Sequence, residues 1–122
     1  METEPWALDV KASSAANPGA LTKLVTGLIL SCGGWVLSRG ADDSGTVSLL
    51  FEFERRLCIE IYSALVGSGI ELSQGGNRAF TELCRCTSFH FADCEEEIAS
   101  VDLEIQTLPS ETVGSSLNTQ RG

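Results

Sequence analysis

The sequence predicts a single α+β domain in which two helices cover one face of an antiparallel sheet, in the element order βαββαβ. Three observations lead to this fold class. Stretches with an apolar residue at every second position predict strands, and they alternate with stretches whose apolar residues recur at helical spacing. In addition, two of the strand-like stretches flank a glycine-containing turn, which is typical of an antiparallel hairpin.

The first strand and the first helix have clear local signals. Residues 6–12 alternate between apolar and polar side chains and predict a half-buried strand. Asn17 is a suitable N-cap, and Pro18 suits the first helical position because its missing N–H costs nothing there. Gly33 and Gly34 are predicted to end the helix, since glycine accepts the left-handed conformation of a C-terminal cap. The predicted core-facing side chains are Leu21, Leu24, Val25, Leu28 and Cys32.

The middle of the chain predicts a hairpin followed by a second helix. A second strand is predicted over residues 35–39, a turn over 40–45 and a third strand over 46–54. The second helix is predicted over residues 55–66. Alternation is clearest in the third strand, where the buried face is predicted to contain Val47, Leu49, Phe51 and Phe53.

The C-terminal part leaves one alternative open. Residues 70–73 predict a short fourth strand, and alternation within residues 101–106 predicts a fifth. Asn77 could cap a helix that continues to residue 86, or residues 77–87 could be an extended continuation of the sheet. The helix is the preferred prediction.

These elements predict one domain with unstructured ends. The domain is predicted over residues 6–108, with a ferredoxin-like core at 6–73 and a helix-and-strand extension at 74–108. Residues 1–5 are predicted to be loose, and residues 109–122 are rich in Ser, Thr, Gly and Asn and predict a disordered tail.

Charge and cysteine content limit the partners and the compartment. The chain has 17 acidic and 8 basic residues and a net charge of −9, so binding to nucleic acid or to an anionic membrane surface is not expected. Its longest uncharged stretch, residues 24–38, is too short for a transmembrane helix. The odd number of cysteines, five, and the acidic N-terminus predict reduced thiols in a cytoplasmic protein.

Residues 17–24 read Asn-Pro-Gly-Ala-Leu-Thr-Lys-Leu, and Gly-Gly-Trp-Val follows at residues 33–36. This segment resembles the ACT domain family, in which the first helix opens with an acidic or amide residue before Pro-Gly-Ala-Leu. The resemblance covers residues 6–73. It implies a regulatory module, expected here as a stand-alone homodimer, that binds an amino acid or a related metabolite near the loop before that helix.

On the matching positions, the resemblance assigns ligand binding to Asn17, Pro18 and Gly19. A helix N-terminus presents free N–H groups that suit a carboxylate, and glycine allows close approach to the backbone. The simpler interpretation of the same residues is helix capping alone. A second function hypothesis is a ferredoxin-like interaction or assembly protein without a ligand, which would contact its partner through the open sheet face or an edge strand.

Cys84, Cys86, His90 and Cys94 form the best candidate metal cluster, because thiolates and imidazole suit zinc. Their spacing is not a standard zinc pattern, and on a helix Cys84 and Cys86 would point about 200° apart. His90 is the single histidine and has no evident nucleophile partner. The sequence therefore predicts no metal, no cofactor and no enzymatic activity.

Overall fold

The computed structural model describes residues 6–89 and 97–107, with Phe89 described by its backbone alone. In these ranges, strands and helices alternate as the sequence predicts, and the α+β class is confirmed. The elements are β1 (Trp6–Ser14), α1 (Pro18–Ser31), β2 (Trp35–Ala41), β3 (Thr46–Glu54), a 3₁₀ turn (Arg55–Leu57), α2 (Cys58–Gly67), β4 (Glu71–Leu72), α3 (Gln74–Phe89) and β5 (Ile98–Thr107).

The five strands form one sheet in the order β2-β3-β5-β1-β4. All neighbouring pairs are antiparallel except β1 and β5, which are parallel. The sequence predicts an antiparallel sheet, and the parallel pair corrects that prediction. The ferredoxin-like arrangement is not confirmed, because β5 stands between β3 and β1. Strand order depends on contacts between distant segments, so alternation within a strand carries no information about it.

The hydrophobic core lies between one face of this sheet and the helices. Alternate residues of a strand point to opposite faces, and the inward residues of β3 and β5 are almost fully buried. Each large apolar side chain buried there contributes about 1.5–3 kcal/mol. The largest are Leu21, Ile29, Leu49, Phe51, Phe53, Ile61, Leu65, Phe80, Leu83, Leu103 and Ile105.

Helix α1 begins where the sequence predicts, but its core-facing stripe is rotated. Leu21, Val25 and Ile29 are buried, whereas Leu24, which is predicted to face the core, is exposed. Apolar residues lie on more than one side of α1, so more than one stripe fits helical spacing. The sheet selects the stripe by packing against it.

Gly33 and Gly34 end α1, as predicted. The N–H of Gly33 donates to the carbonyl of Leu30 at 3.1 Å, and the N–H of Gly34 donates to that of Ile29 at 2.9 Å. With Gly33 at φ +97°, this is a Schellman C-cap. A Cβ on Gly34 would lie 2.9 Å from the carbonyl oxygen of Glu52, so glycine also permits the close approach of the chain to β3.

Helix α3 confirms the preferred alternative for the segment after β4, although its start differs from the prediction. The helix begins at Gln74, where Ser73 Oγ accepts the N–H of Gly76 at 3.0 Å. Asn77 therefore lies within the first turn and does not cap it. The side-chain oxygen of Asn77 accepts instead from the hydroxyl of Tyr62 at 2.7 Å. Helix α3 also packs against the core, whereas the sequence prediction places only the first two helices there.

Candidate functional site

The predicted ligand loop is a well-formed helix cap. Asn17 Oδ1 accepts the N–H groups of Gly19 and Ala20 at 2.9 and 3.2 Å. Pro18 has no N–H, and the N–H of Leu21 donates to the Asn17 carbonyl at 2.8 Å. These N–H groups are already paired, so the geometry favours capping. Binding of a metabolite at Asn17, Pro18 and Gly19 stays a prediction.

The candidate metal cluster is not assembled within the described part of the chain. Cys84 and Cys86 both lie on α3, which places them on different sides of that helix. His90 and Cys94 lie outside the described residues. Among the residues that are described, no three side chains of the metal-binding types are grouped.

Cys84 instead forms a disulfide with Cys58, the first residue of α2. Their Cα atoms are 5.8 Å apart, which is a separation typical of disulfides. The prediction that all the thiols are reduced is corrected for this pair. The sequence could not indicate it, because the two residues are 26 positions apart and meet only when α2 packs beside α3.

Arg55 is a buried cation, with 7% of its surface exposed, and it ties several elements together. Its Nε donates to Thr87 Oγ1 at 3.0 Å, and Nη1 forms an ion pair with Glu97. Its guanidinium lies 4.8 Å from the centroid of the Trp6 ring. Arg55 thus joins the start of β1, the end of α3 and the residue before β5.

Several large apolar side chains are exposed on the outer sides of α1 and α2. The two helices are neighbours, as the contact of Cys32 Sγ with the Glu60 carbonyl oxygen at 3.7 Å indicates. We call their exposed outer residues the α1–α2 surface: Lys23, Leu24, Gly27, Leu30, Ile59, Glu60, Ser63 and Val66. Its four large apolar residues are 44–57% exposed. Patches of this kind on a monomer often mark an interaction site.

Charge is scarce on these two helices. The fourteen residues of α1 include one charged residue, Lys23, and the ten residues of α2 include one, Glu60. The exposed side of α3, by contrast, carries Arg78, Glu82 and Arg85. The exposed side of a surface helix is normally polar, as it is on α3, whereas the exposed sides of α1 and α2 include large apolar residues.

The open face of the sheet has the opposite character. Six acidic side chains and one lysine lie on it, because their strand positions alternate with the buried ones. These are Asp9, Lys11, Glu52, Glu54, Glu71, Asp102 and Glu104. Asp9 and Asp102 are direct neighbours across the parallel pair, so like charges adjoin there.

Lys11 partly offsets this negative charge. Its Nζ donates to Glu104 Oε1 at 2.8 Å and lies 3.5 Å from Asp9 Oδ1. The hydrogen bond to Glu104, and then the charge of Asp9, raise the pKa of the Lys11 ammonium. The open face therefore keeps a surplus of negative charge.

The edge strand β2 has features that discourage its pairing with a strand of another molecule. The pairing register of β2 with β3 shifts between Val36 and Ser38, which is a β-bulge at Leu37. Trp35 Nε1 donates to Glu52 Oε1 at 3.1 Å, which fixes the strand's first residue over the open face. Bulges on edge strands discourage pairing with another strand. This feature argues against the predicted contact by strand addition at β2.

Sequence reasoning missed the α1–α2 surface, because Leu24 was assigned to the core and Leu30, Ile59 and Val66 were assigned to no site. The low charge of the two helices was nevertheless visible in the sequence. No helix in the described ranges is both long and apolar enough to cross a membrane. The cytoplasmic location stays a prediction.

Comparisons with known proteins give no relative of this chain: no protein family, no curated protein and no solved structure matches it. The resemblance to the ACT domain family therefore stays a prediction.

Proposed function

We propose that this chain is a non-catalytic assembly module, and that two copies associate through their α1–α2 surfaces. The observation that carries the proposal is the contrast between this surface and the rest of the molecule. It is apolar and carries one charge of each sign, whereas the chain as a whole has a net charge of −9. The order β2-β3-β1-β4 that remains without β5 supports a ferredoxin-like frame for this module.

The charge distribution favours a second copy of this chain as the partner that binds the α1–α2 surface. Two chains of net charge −9 repel each other, and contact through a surface without net charge adds no local repulsion to this. The open sheet face is acidic and would repel its own copy. The α1–α2 surface carries only Lys23 and Glu60, so its net charge is zero.

The two charges are also self-complementary. Consider a two-fold axis that lies in the plane of the interface and crosses the line from Lys23 to Glu60 at its midpoint and at a right angle. Rotation about this axis brings Lys23 of one copy opposite Glu60 of the other. Each lysine then lies opposite the glutamate of the other copy. The apolar residues Leu24 and Ile59 are buried in the same contact. The two-fold axis makes the interface isologous.

The size of the surface indicates a weak dimer. Helix α1 has 14 residues and is therefore about 21 Å long, and two packed helices span about 20 Å. The patch is on the order of 400 Å² per copy, which is below the roughly 800 Å² of a standard stable interface. We expect a dissociation constant in the micromolar range, so the measurement needs protein at up to about 100 μM.

Sedimentation equilibrium of the full chain over a range of concentrations tests this proposal. Wild type is expected to shift from monomer to dimer, and Leu24→Glu and Ile59→Glu are expected to stay monomeric. Both residues are exposed in the single chain, so the substitutions leave its core intact. Thr81→Glu, on the exposed side of α3, adds the same charge elsewhere and should dimerise like wild type.

A charge exchange tests the two-fold arrangement. Lys23→Glu and Glu60→Lys should each weaken the dimer by about tenfold, because two like-charge contacts replace two ion pairs. The double variant should restore the affinity. A monomeric wild type at every concentration would refute the proposal, and so would a dimer that Leu24→Glu leaves intact or a different protein seated on this surface.

A further inference from the structure

We infer that the Cys58–Cys84 bond is a reversible, thiol-responsive link between α2 and α3. Two features of the structure support this inference independently of dimerisation: Cys84 is more exposed than Cys58, and other contacts hold the two helices together.

The two cysteines differ in exposure. Cys58 is 1% exposed, whereas Cys84 is only half-buried, so an incoming thiolate meets the Cys84 side of the bond first. Attack at Cys84 displaces the sulfur of Cys58.

The exchange balances with a low-molecular-weight thiol as reductant. Its thiolate attacks Cys84 Sγ, a mixed disulfide forms, and Cys58 leaves as a thiolate that takes up a proton. A second thiolate attacks the mixed disulfide and releases Cys84, which is protonated in turn. Two thiols become one small disulfide, and the protein gains two electrons and two protons. The reverse sequence, with a low-molecular-weight disulfide as oxidant, closes the bond again.

The bond can close again because the fold holds the two cysteines together without it. The ring of Tyr62 stacks on Phe80 with centroids 5.3 Å apart, and its hydroxyl donates to Asn77. Near the other end of α3, Arg55 donates to Thr87 at 3.0 Å. These contacts keep α2 beside α3 in the reduced protein, so closure is an intramolecular step at high effective concentration.

Peptide mapping of the full chain identifies the linked residues. The protein is equilibrated in glutathione buffers of different ratio, quenched with acid, alkylated and cut with trypsin. Cleavage after Arg56, Arg78 and Arg85 leaves Cys58 in residues 57–78 and Cys84 in residues 79–85, each as the single cysteine of its peptide. Oxidised samples should contain these two peptides linked, and reduced samples should contain both alkylated.

Thermal unfolding measures the effect of the link. Reduction of wild type should lower Tm by on the order of 10 °C while the circular dichroism at 25 °C is unchanged. Cys86→Ser keeps the pair and should respond like wild type. Cys84→Ser should have a low Tm that no longer responds to reductant.

Several results would overturn the inference. One is a bond that glutathione at any ratio fails to open in the folded protein, because the link would then be permanent. Another is linkage of Cys58 or Cys84 to a different cysteine. The loss of native circular dichroism on reduction would show that the bond is a condition for folding, and an equal Tm in both states would show that it does not form.

Discussion

Asp42 sets the geometry of the turn between β2 and β3 with a single carboxylate. Its Oδ1 accepts the N–H groups of Ser44 and Thr46 at 2.9 and 3.0 Å, and also the Ser44 hydroxyl at 2.7 Å. The hydrogen bond from Ser44, and then the N–H of Thr46, lower the pKa of Asp42. The ionised carboxylate is therefore favoured in the folded state, and the turn is more stable when Asp42 is charged.

Asp42→Ala should lower Tm at neutral pH, and the difference from wild type should shrink in acid. The pKa of Asp42 is lower in the folded than in the unfolded state, so its contribution is present above the ordinary aspartate value of about 3.9. This stabilisation is lost as the pH falls through the pKa that Asp42 has in the folded protein. Thermal unfolding between pH 2 and pH 7 measures this difference.

Asp43→Ala is the matched control, because it removes a neighbouring carboxylate of the same turn. We expect its Tm to follow wild type at each pH. A constant Tm difference between Asp42→Ala and wild type down to pH 2 would contradict the role assigned to the charged carboxylate.

The role of a residue at a helix end was predictable where it depends only on neighbouring residues in the chain. Asn17, Pro18, Gly33 and Gly34 act at the ends of α1 as their types indicate. Asn77 did not follow this rule, because Ser73 starts α3 one turn earlier and Tyr62 takes the Asn77 side chain. Which residue caps a helix depends on where the helix begins. For α3, packing against β1 determines that position.

At the scale of elements, α3 packs against β1 through a glycine. A Cβ on Gly76 would lie 2.8 Å from Val10 Cγ1 and 3.3 Å from the carbonyl oxygen of Lys11. Val10 is fully buried and has little freedom to move. At the preceding residue, Gly75, a Cβ would meet nothing within 4 Å.

Two adjacent substitutions separate helix propensity from packing. Gly75→Ala should stabilise the protein by about 0.5–1 kcal/mol, because alanine loses less backbone entropy in a helix. Gly76→Ala should destabilise it by about 1–3 kcal/mol, since the added methyl overpacks the α3–β1 contact. Urea unfolding gives both values. A Gly76→Ala protein as stable as Gly75→Ala would show that α3 lies further from β1.

The elements themselves were largely predictable, but the faces of α1 were not. The bounds of β3 agree with the prediction residue by residue, because its alternation, broken only at Leu50, is the clearest in the chain. In α1, Leu24 and Ile29 are both apolar and only one of them faces the core. Where a helix lacks a polar side, its sequence leaves the orientation open. The α1–α2 surface therefore became visible only once the sheet was in place.

At the scale of the whole molecule, β5 is the strand on which the sheet depends. It pairs with β1 over nine residue pairs and with β3 over nine, and its Ala99, Val101, Leu103 and Ile105 are fully buried. The chain must bring residues about 90 positions apart together before the centre of the sheet exists. Such distant pairing is slow in folding because the loop entropy is lost before the contacts form.

A chain truncated after residue 96 should not fold. Without β5, strands β1 and β3 lose their shared neighbour and the core loses four buried side chains. We expect no cooperative unfolding transition by circular dichroism. A chain truncated after residue 108 keeps β5 and lacks only the predicted tail, so it should unfold like the full protein. A folded 1–96 chain would show that residues 6–73 form an independent core.

The sequence by itself determined what depends on neighbours along the chain: the α+β class, the type and approximate position of most helices and strands, the ends of α1 and the alternation that buries one face of each central strand. The tertiary structure alone decided the place of β5 between β3 and β1, the parallel pair, the side of α1 left exposed and the meeting of Cys58 with Cys84. The physical reason is the separation along the chain between the residues that are in contact. Periodicity and capping arise from contacts a few residues apart, whereas strand order, helix rotation and cysteine pairing are set by packing between segments that are distant in the chain.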